Sequence, residues 1–242
     1  MSKDVLRLST ELLLELENEA SSRLPAKPTY SEQSLTDRIR RSLSWINRAI
    51  AASPDDTPAR FLELWISLNA LYGRRSYLKG VRIDESVDFQ HFVKRLEELD
   101  SSDHQIALLM KRLERRSSRL IENPYLWKEF WRDDRTQLKS AITKAKEEYC
   151  DSLNDQDSVK FFSCIYERLL ALRNQIAHGS SSVDTTKSQD ALKPGLLILE
   201  DMLPIFLRLM IRHGLGKEWD EIPYPGRETL QHPKMTLPHF GK

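Results

Sequence analysis

The chain has 242 residues, 30% of them charged and 40% hydrophobic, which is long enough to bury a core without disulfide or metal staples. Its 37 Lys and Arg against 36 Asp and Glu leave a net charge of +1, excluding a global basic field that would gather nucleic acid in bulk; any such contact must be local. Cys150 and Cys164 lack zinc-ligand spacing and fit a reducing cytosol, Met1–Arg7 is unlike a signal peptide, and the greasiest stretch, Leu196 to Ile211, is interrupted by Glu200, Asp201, Pro204 and Arg208, so a cytoplasmic chain with no membrane contact is expected.

Eight glycines and few β-branched runs point to helix nearly throughout. Val5 to Ala20 reads as a first helix, and Pro25 and Pro28 mark a break. Ser34-Leu-Thr-Asp37 resembles a capping box that starts a helix to about Ala52. Ser53-Pro-Asp-Asp56 repeats the device, with Pro54 at the first helical position, and opens an apolar helix that Gly73 closes. Phe89, Phe92, Val93, Leu96 and Leu99 recur at helical spacing, as do Ile106, Leu109, Leu113 and Leu120. Pro124 to Trp131 is aromatic-rich, a short helix or packed loop. Thr136 to Leu153 and Asp157 to His178 are two more helices, and Gly179 to Asp190 reads as a flexible loop. A last helix runs from about Ala191 to His213, bent by Pro204, before a proline-rich irregular tail laid against the body by Trp219, Tyr224 and Phe240. The reading is one all-α protein: an N-terminal helical extension over 1–52, a helical domain over 53–213 and a tail over 214–242.

The six histidines include no i, i+4 pair with an acid between and no Cys/His cluster, so neither a metal nor a cofactor is expected, and no phosphate-cradling glycine motif is present. The informative segment is Glu167-Arg-Leu-Leu-Ala-Leu-Arg-Asn-Gln-Ile-Ala-His-Gly179. On a helical wheel Phe162, Ile165, Leu169, Leu172 and Ile176 form its apolar stripe. Asn174 and His178 face away from that stripe, and Arg173 sits at its margin. Gly179 is a C-terminal stop, which places His178 at the negative end of the helix dipole, where the imidazolium is favoured; the Arg173 charge opposes this. A general acid/base beside a guanidinium suited to a transition-state phosphate is the minimal kit for cleaving RNA through its own 2′-hydroxyl. The spacing alone says little, because Arg208/His213 and Arg227/His232 repeat it, and His178 equally serves as a helix cap.

The partner segment, Arg60-Phe-Leu-Glu-Leu-Trp-Ile-Ser-Leu-Asn-Ala-Leu-Tyr-Gly73, is apolar nearly all round and reads as the buried central helix. Asn69 is expected as a buried amide in need of a partner, either a polar contact that specifies the core or, with Tyr72, a buttress to the Arg-Asn…His segment. Arg112, Arg115, Arg116 and Arg119 fall at i, i+3, i+4 and i+7, with only Glu114 and Glu122 near in sequence. They form a solvated face or a track for RNA phosphates.

These two segments together resemble the HEPN superfamily, in its Apea-like branch, over roughly Arg60 to His213. The resemblance implies an antiparallel helical bundle that dimerises, with an Arg-x4-6-His motif meeting its symmetry copy in a cleft. It further implies metal-independent endoribonuclease activity in phage defence, toxin or RNA-processing systems. By position, Arg173 and His178 match the motif's pair and Asn174 its following polar residue. They are expected to stabilise the phosphorane, act as general acid/base, and position His178 or the phosphate, respectively. Ser180 stands where some toxins carry a modifiable tyrosine, and no fused sensor domain is present, so a sensor or antitoxin would be a separate chain. The competing expectation is a non-catalytic HEPN module that serves an assembly by interaction or ligand binding.

Overall fold

In the computed structural model, residues 8–73, 77–78, 81–82, 84–101, 103–179, 186–220 and 222 are described. Their architecture is all-α. The helices are α1 (Thr10–Arg23), α2 (Tyr30–Ala51), α3 (Thr57–Tyr72), α4 (Glu85–Leu99), α5 (Gln105–Glu122), α6 (Lys128–Trp131), α7 (Arg135–Asn154), α8 (Ser158–Ala177) and α9 (Thr186–His213). A 3₁₀ turn, Pro124–Leu126, precedes α6, and the two-residue strands β1 (Tyr77–Leu78) and β2 (Val81–Arg82) pair antiparallel between α3 and α4.

Capping chemistry places several helix starts away from the positions expected. The α1 helix begins at Thr10 because Ser9 accepts from the Leu12 N–H at 3.2 Å. The α2 helix begins at Tyr30, where Thr29 and Glu32 form the capping box. Ser34 to Asp37 therefore lies inside that helix, with Gln33 Nε2 donating to Asp37 Oδ1 at 2.8 Å. The α3 cap is Asp56, whose Oδ1 accepts from the Ala59 N–H at 3.1 Å, and Pro58 rather than Pro54 occupies the first turn. The last helix starts at Thr186, not near Ala191, and runs unbroken through Pro194 and Pro204.

α9 occupies the centre. It packs on α3, α5, α1 and α4, and every residue from Ile198 to Leu207 is buried, as an apolar surface all round the helix requires. Gly195 permits the close approach: a Cβ there would lie 2.8 Å from Leu172 Cδ2 and 3.3 Å from Phe61 Cε2. The two acids in this run have partners, Arg60 Nη2 reaching Glu200 Oε1 at 2.7 Å and Arg116 pairing with Asp201. α1 and α2 are built into the same core as the rest: Leu12, Leu16, Ile39 and Ile46 belong to one apolar cluster with α3 and α9.

Arg38 of α2, only 2% exposed, fixes the end of α3. Its guanidinium donates to the carbonyls of Leu71 at 2.9 Å and Gly73 at 2.7 Å, satisfying acceptors that the helix terminus leaves open. A third bond, to the Asp220 carbonyl at 2.8 Å, ties down the segment after α9. Trp219 follows suit, donating to the Gly214 carbonyl at 3.0 Å under the Arg95 guanidinium. Tyr224 and Phe240 lie outside the described residues. No helix of the described residues is long and apolar enough to cross a membrane.

Candidate functional site

α8 carries the motif where the sequence placed it. Asp157 caps its N-terminus, and Phe162, Ile165, Leu169 and Leu172 are buried. Ile176, at the outer end of that stripe, is half-buried. The helix stops at His178, whose backbone N–H donates to the carbonyl of Asn174, and Gly179 follows with φ +63°, the left-handed conformation that a glycine stop supplies. The His178 side chain is exposed; Asn174 is half-buried, and its side chain makes no hydrogen bond among the described residues.

Arg173 turns the other way. Five helical positions separate it from His178, about 7.5 Å along the axis and about 140° around it. Its guanidinium lies over the Trp65 ring of α3, 5.4 Å from the centroid, and Nη2 binds Glu85 Oε2 of α4 at 3.0 Å. Its Nε is buried without a hydrogen-bond partner among the described residues. Arg173 and His178 of one chain therefore flank the end of α8 without meeting.

The two distant motifs do meet through Arg173. Trp65, Asn69 and Tyr72 fall at i, i+4 and i+7 along one face of α3, and Tyr166 and Arg173 are i, i+7 on α8. The rings of Trp65 and Tyr166 pack at 5.4 Å. Tyr72 donates its hydroxyl proton to Asn69 Oδ1, so the 2.7 Å contact between the Tyr72 and Tyr166 hydroxyls must be a donation from Tyr166. The chain Tyr166 to Tyr72 to Asn69 fixes the Asn69 amide with its carbonyl inward, leaving the amide N–H₂ without a partner among the described residues. Asn69 is half-buried rather than buried, so this N–H₂ lies at the edge of the core. Burial, followed by the neighbouring hydroxyl, pushes the Tyr72 phenol well above its usual range, and burial does the same to Tyr166. Both stay neutral and keep the proton that the chain needs. Tyr166 was not singled out from the sequence; its i, i+7 spacing to Arg173 was the available signal.

The arginine stripe of α5 divides. Arg116 pairs with Asp201 of α9, which is 3% exposed, and Arg112 stands 3.8 Å from the same carboxylate. Arg112, Arg115 and Arg119 are exposed, but only Arg115 and Arg119 make no ion pair among the described residues, and Glu122 binds Lys146 at 3.0 Å. The stripe is thus not a continuous free track, because half of it neutralises a buried acid contributed from 85 residues away. Of the repeated Arg-x4-His spacings, Arg208 is engaged with Glu15 at 3.0 Å, and Arg227/His232 lies outside the described residues. Among the described residues no three His, Cys, Asp or Glu side chains gather as a potential metal site.

Comparison of the chain with protein-family models, curated proteins and solved structures finds no match.

Proposed function

We propose that the protein is a metal-independent endoribonuclease of HEPN type that acts as a homodimer. The observation that supports this most is the meeting of the two motifs: Arg173 lies on Trp65, beside an Asn69 amide locked by Tyr72 and Tyr166, while His178 stands exposed at the end of the same helix. In this reading neutral His178 accepts the proton of the ribose 2′-hydroxyl as that oxygen attacks phosphorus. Arg173 stabilises the charge gained by the phosphorane, and an imidazolium returns a proton to the departing 5′-oxygen. The products are a 2′,3′-cyclic phosphate and a 5′-hydroxyl. The angle of about 140° between Arg173 and His178 on one helix favours a site shared between two chains, with Arg173 of one serving His178 of the other. Asn174, whose side chain makes no hydrogen bond among the described residues, positions the imidazole or the phosphate.

Purified protein is expected to cleave single-stranded RNA in EDTA with those termini. An activity that EDTA abolishes and Mg²⁺ restores rules the mechanism out.

The second reading, a non-catalytic interaction module, draws on the Glu85–Arg173 pair, since an arginine held by a carboxylate and a tryptophan face also serves structure alone. Glu85→Gln separates the two. If Arg173 must leave Glu85 to bind phosphate, the variant binds single-stranded RNA more tightly; if the pair is structural, only thermal stability falls.

A further inference from the structure

Four of the five tryptophans carry an arginine guanidinium over the ring: Arg48 over Trp45, Arg173 over Trp65, Arg168 over Trp127 and Arg95 over Trp219. Trp131, at the end of α6, has no such cover among the described residues and is 57% exposed. It is nevertheless held firmly. Its indole N–H donates to the Tyr125 carbonyl at 3.0 Å, and Phe130 meets it in a T-shaped contact at 5.2 Å, itself braced by Tyr125 at 4.6 Å. An aromatic ring whose polar edge is satisfied and whose body remains in water is a preformed stacking surface.

Its location gives that surface a use. The Tyr125 carbonyl that anchors the indole also accepts from Gln175 Nε2 of α8, at 2.5 Å. Gln175 is three residues before His178, so the two are surface neighbours on one helix, with Cβ atoms about 5–6 Å apart. The Trp131 ring is therefore tied, through one shared oxygen, to the residue one helical turn before His178. Lys128, Arg132 and Arg135 are exposed around it, interspersed with Asp133, while Asp134 is committed to capping α7. Rigid aromatic faces with adjacent cations are what bind unpaired bases irrespective of sequence, whereas a duplex keeps its bases stacked inside.

We propose that Trp131 is the stacking platform for an unpaired nucleobase next to the phosphate that His178 addresses, making the substrate single-stranded at the point of cleavage. This rests on the endoribonuclease reading. The test uses a single-stranded oligoribonucleotide carrying 2′-O-methyl riboses, which cannot be cleaved, and a duplex of the same sequence, with affinities measured by fluorescence anisotropy. Trp131→Ala should weaken single-strand binding about tenfold, the scale of one stacked base, and leave duplex binding unchanged. Trp131→Phe keeps a ring but lacks the indole N–H, and should recover most of the affinity. Equal affinity in Trp131→Ala and the parent, or an equal loss on both probes, overturns the platform. So does dissociation of an oligomer in Trp131→Ala by sedimentation, which would mean that the ring is covered by a second copy. The two readings fail separately. Lost cleavage in His178→Ala with unchanged affinity in Trp131→Ala removes the platform alone. Persistent cleavage in His178→Ala removes the catalytic assignment, while a selective single-strand loss in Trp131→Ala still supports the platform.

Discussion

Replacing Tyr72 with Phe removes the hydroxyl at the middle of a three-member chain, and the structure fixes what each end then loses. Tyr166 is 1% exposed, so its hydroxyl is left buried without an acceptor, at a cost of about 1–3 kcal/mol. Asn69 Oδ1 loses its donor too, but Asn69 is half-buried and water can replace it, so this adds little. Tyr166→Phe is milder: Tyr72 keeps its bond to Asn69, and one neutral hydrogen bond disappears, about 1 kcal/mol. In the double variant no hydroxyl is orphaned, and the two rings remain among Phe89, Phe92 and Trp65. Its cost should therefore stay close to that of Tyr72→Phe alone or fall below it, giving a favourable coupling of about 1–2 kcal/mol. For a chain of this length about 2 kcal/mol corresponds to a fall of about 4–8 °C in Tm. Urea unfolding of the four proteins closes the cycle, and RNA cleavage by the same set reports on Asn69: Tyr72→Phe, which frees the amide to rotate, should lose more activity than Tyr166→Phe. Strict additivity of the two single variants, or Tyr166→Phe proving the costlier, would refute the chain as drawn.

His178→Ala should reduce cleavage by about 10²–10⁴-fold, while His213→Ala, whose partner arginine spacing is the same but whose Arg208 is tied to Glu15, should leave it largely intact; comparable losses in two folded variants contradict the assignment. Mixing Arg173→Ala protomers with His178→Ala protomers should restore activity that neither has alone, and a monomer by sedimentation that is fully active ends the shared-site idea. Burial raises the phenols of Tyr72 and Tyr166 and pushes Tyr149 up to about 12, so the folded state holds these protons more tightly than the unfolded chain does. Their contribution to stability is complete below about pH 10 and is lost as pH rises through the folded values. Absorbance titration of the native protein should accordingly show at least three of its seven tyrosines resisting ionisation near pH 10, and a single wave comprising all seven contradicts the burial.

The helices themselves were legible in the sequence wherever the signal is local. The four-residue reach of a cap, the glycine after His178 and the repeat of Phe89, Phe92, Val93 and Leu96 all act within a turn or two, so α4, α5, α7 and α8 lie close to where periodicity put them. Where two capping patterns compete within a few residues, as Thr29–Glu32 and Ser34–Asp37 do, both satisfy the same local rule, and the rest of the fold selects between them. The faces of α8 followed from its wheel, including the exposure of His178. What lies across from each face did not. Glu85 reaches Arg173 from 88 residues away, and Asp201 claims Arg116 from 85, because charge pairing is decided by which helices pack, and no periodicity records that. Tyr166 likewise becomes part of the site only because α3 presents Tyr72 to it at 2.7 Å, and Trp131 is linked to α8 one turn before His178 only because Gln175 shares an oxygen with it. The sequence by itself determined an all-α chain and which faces of α3 and α8 turn inward or outward. Only the tertiary structure decided which of those side chains touch, since a hydrogen bond or ion pair depends on separations of about 3 Å that pattern along the chain does not encode.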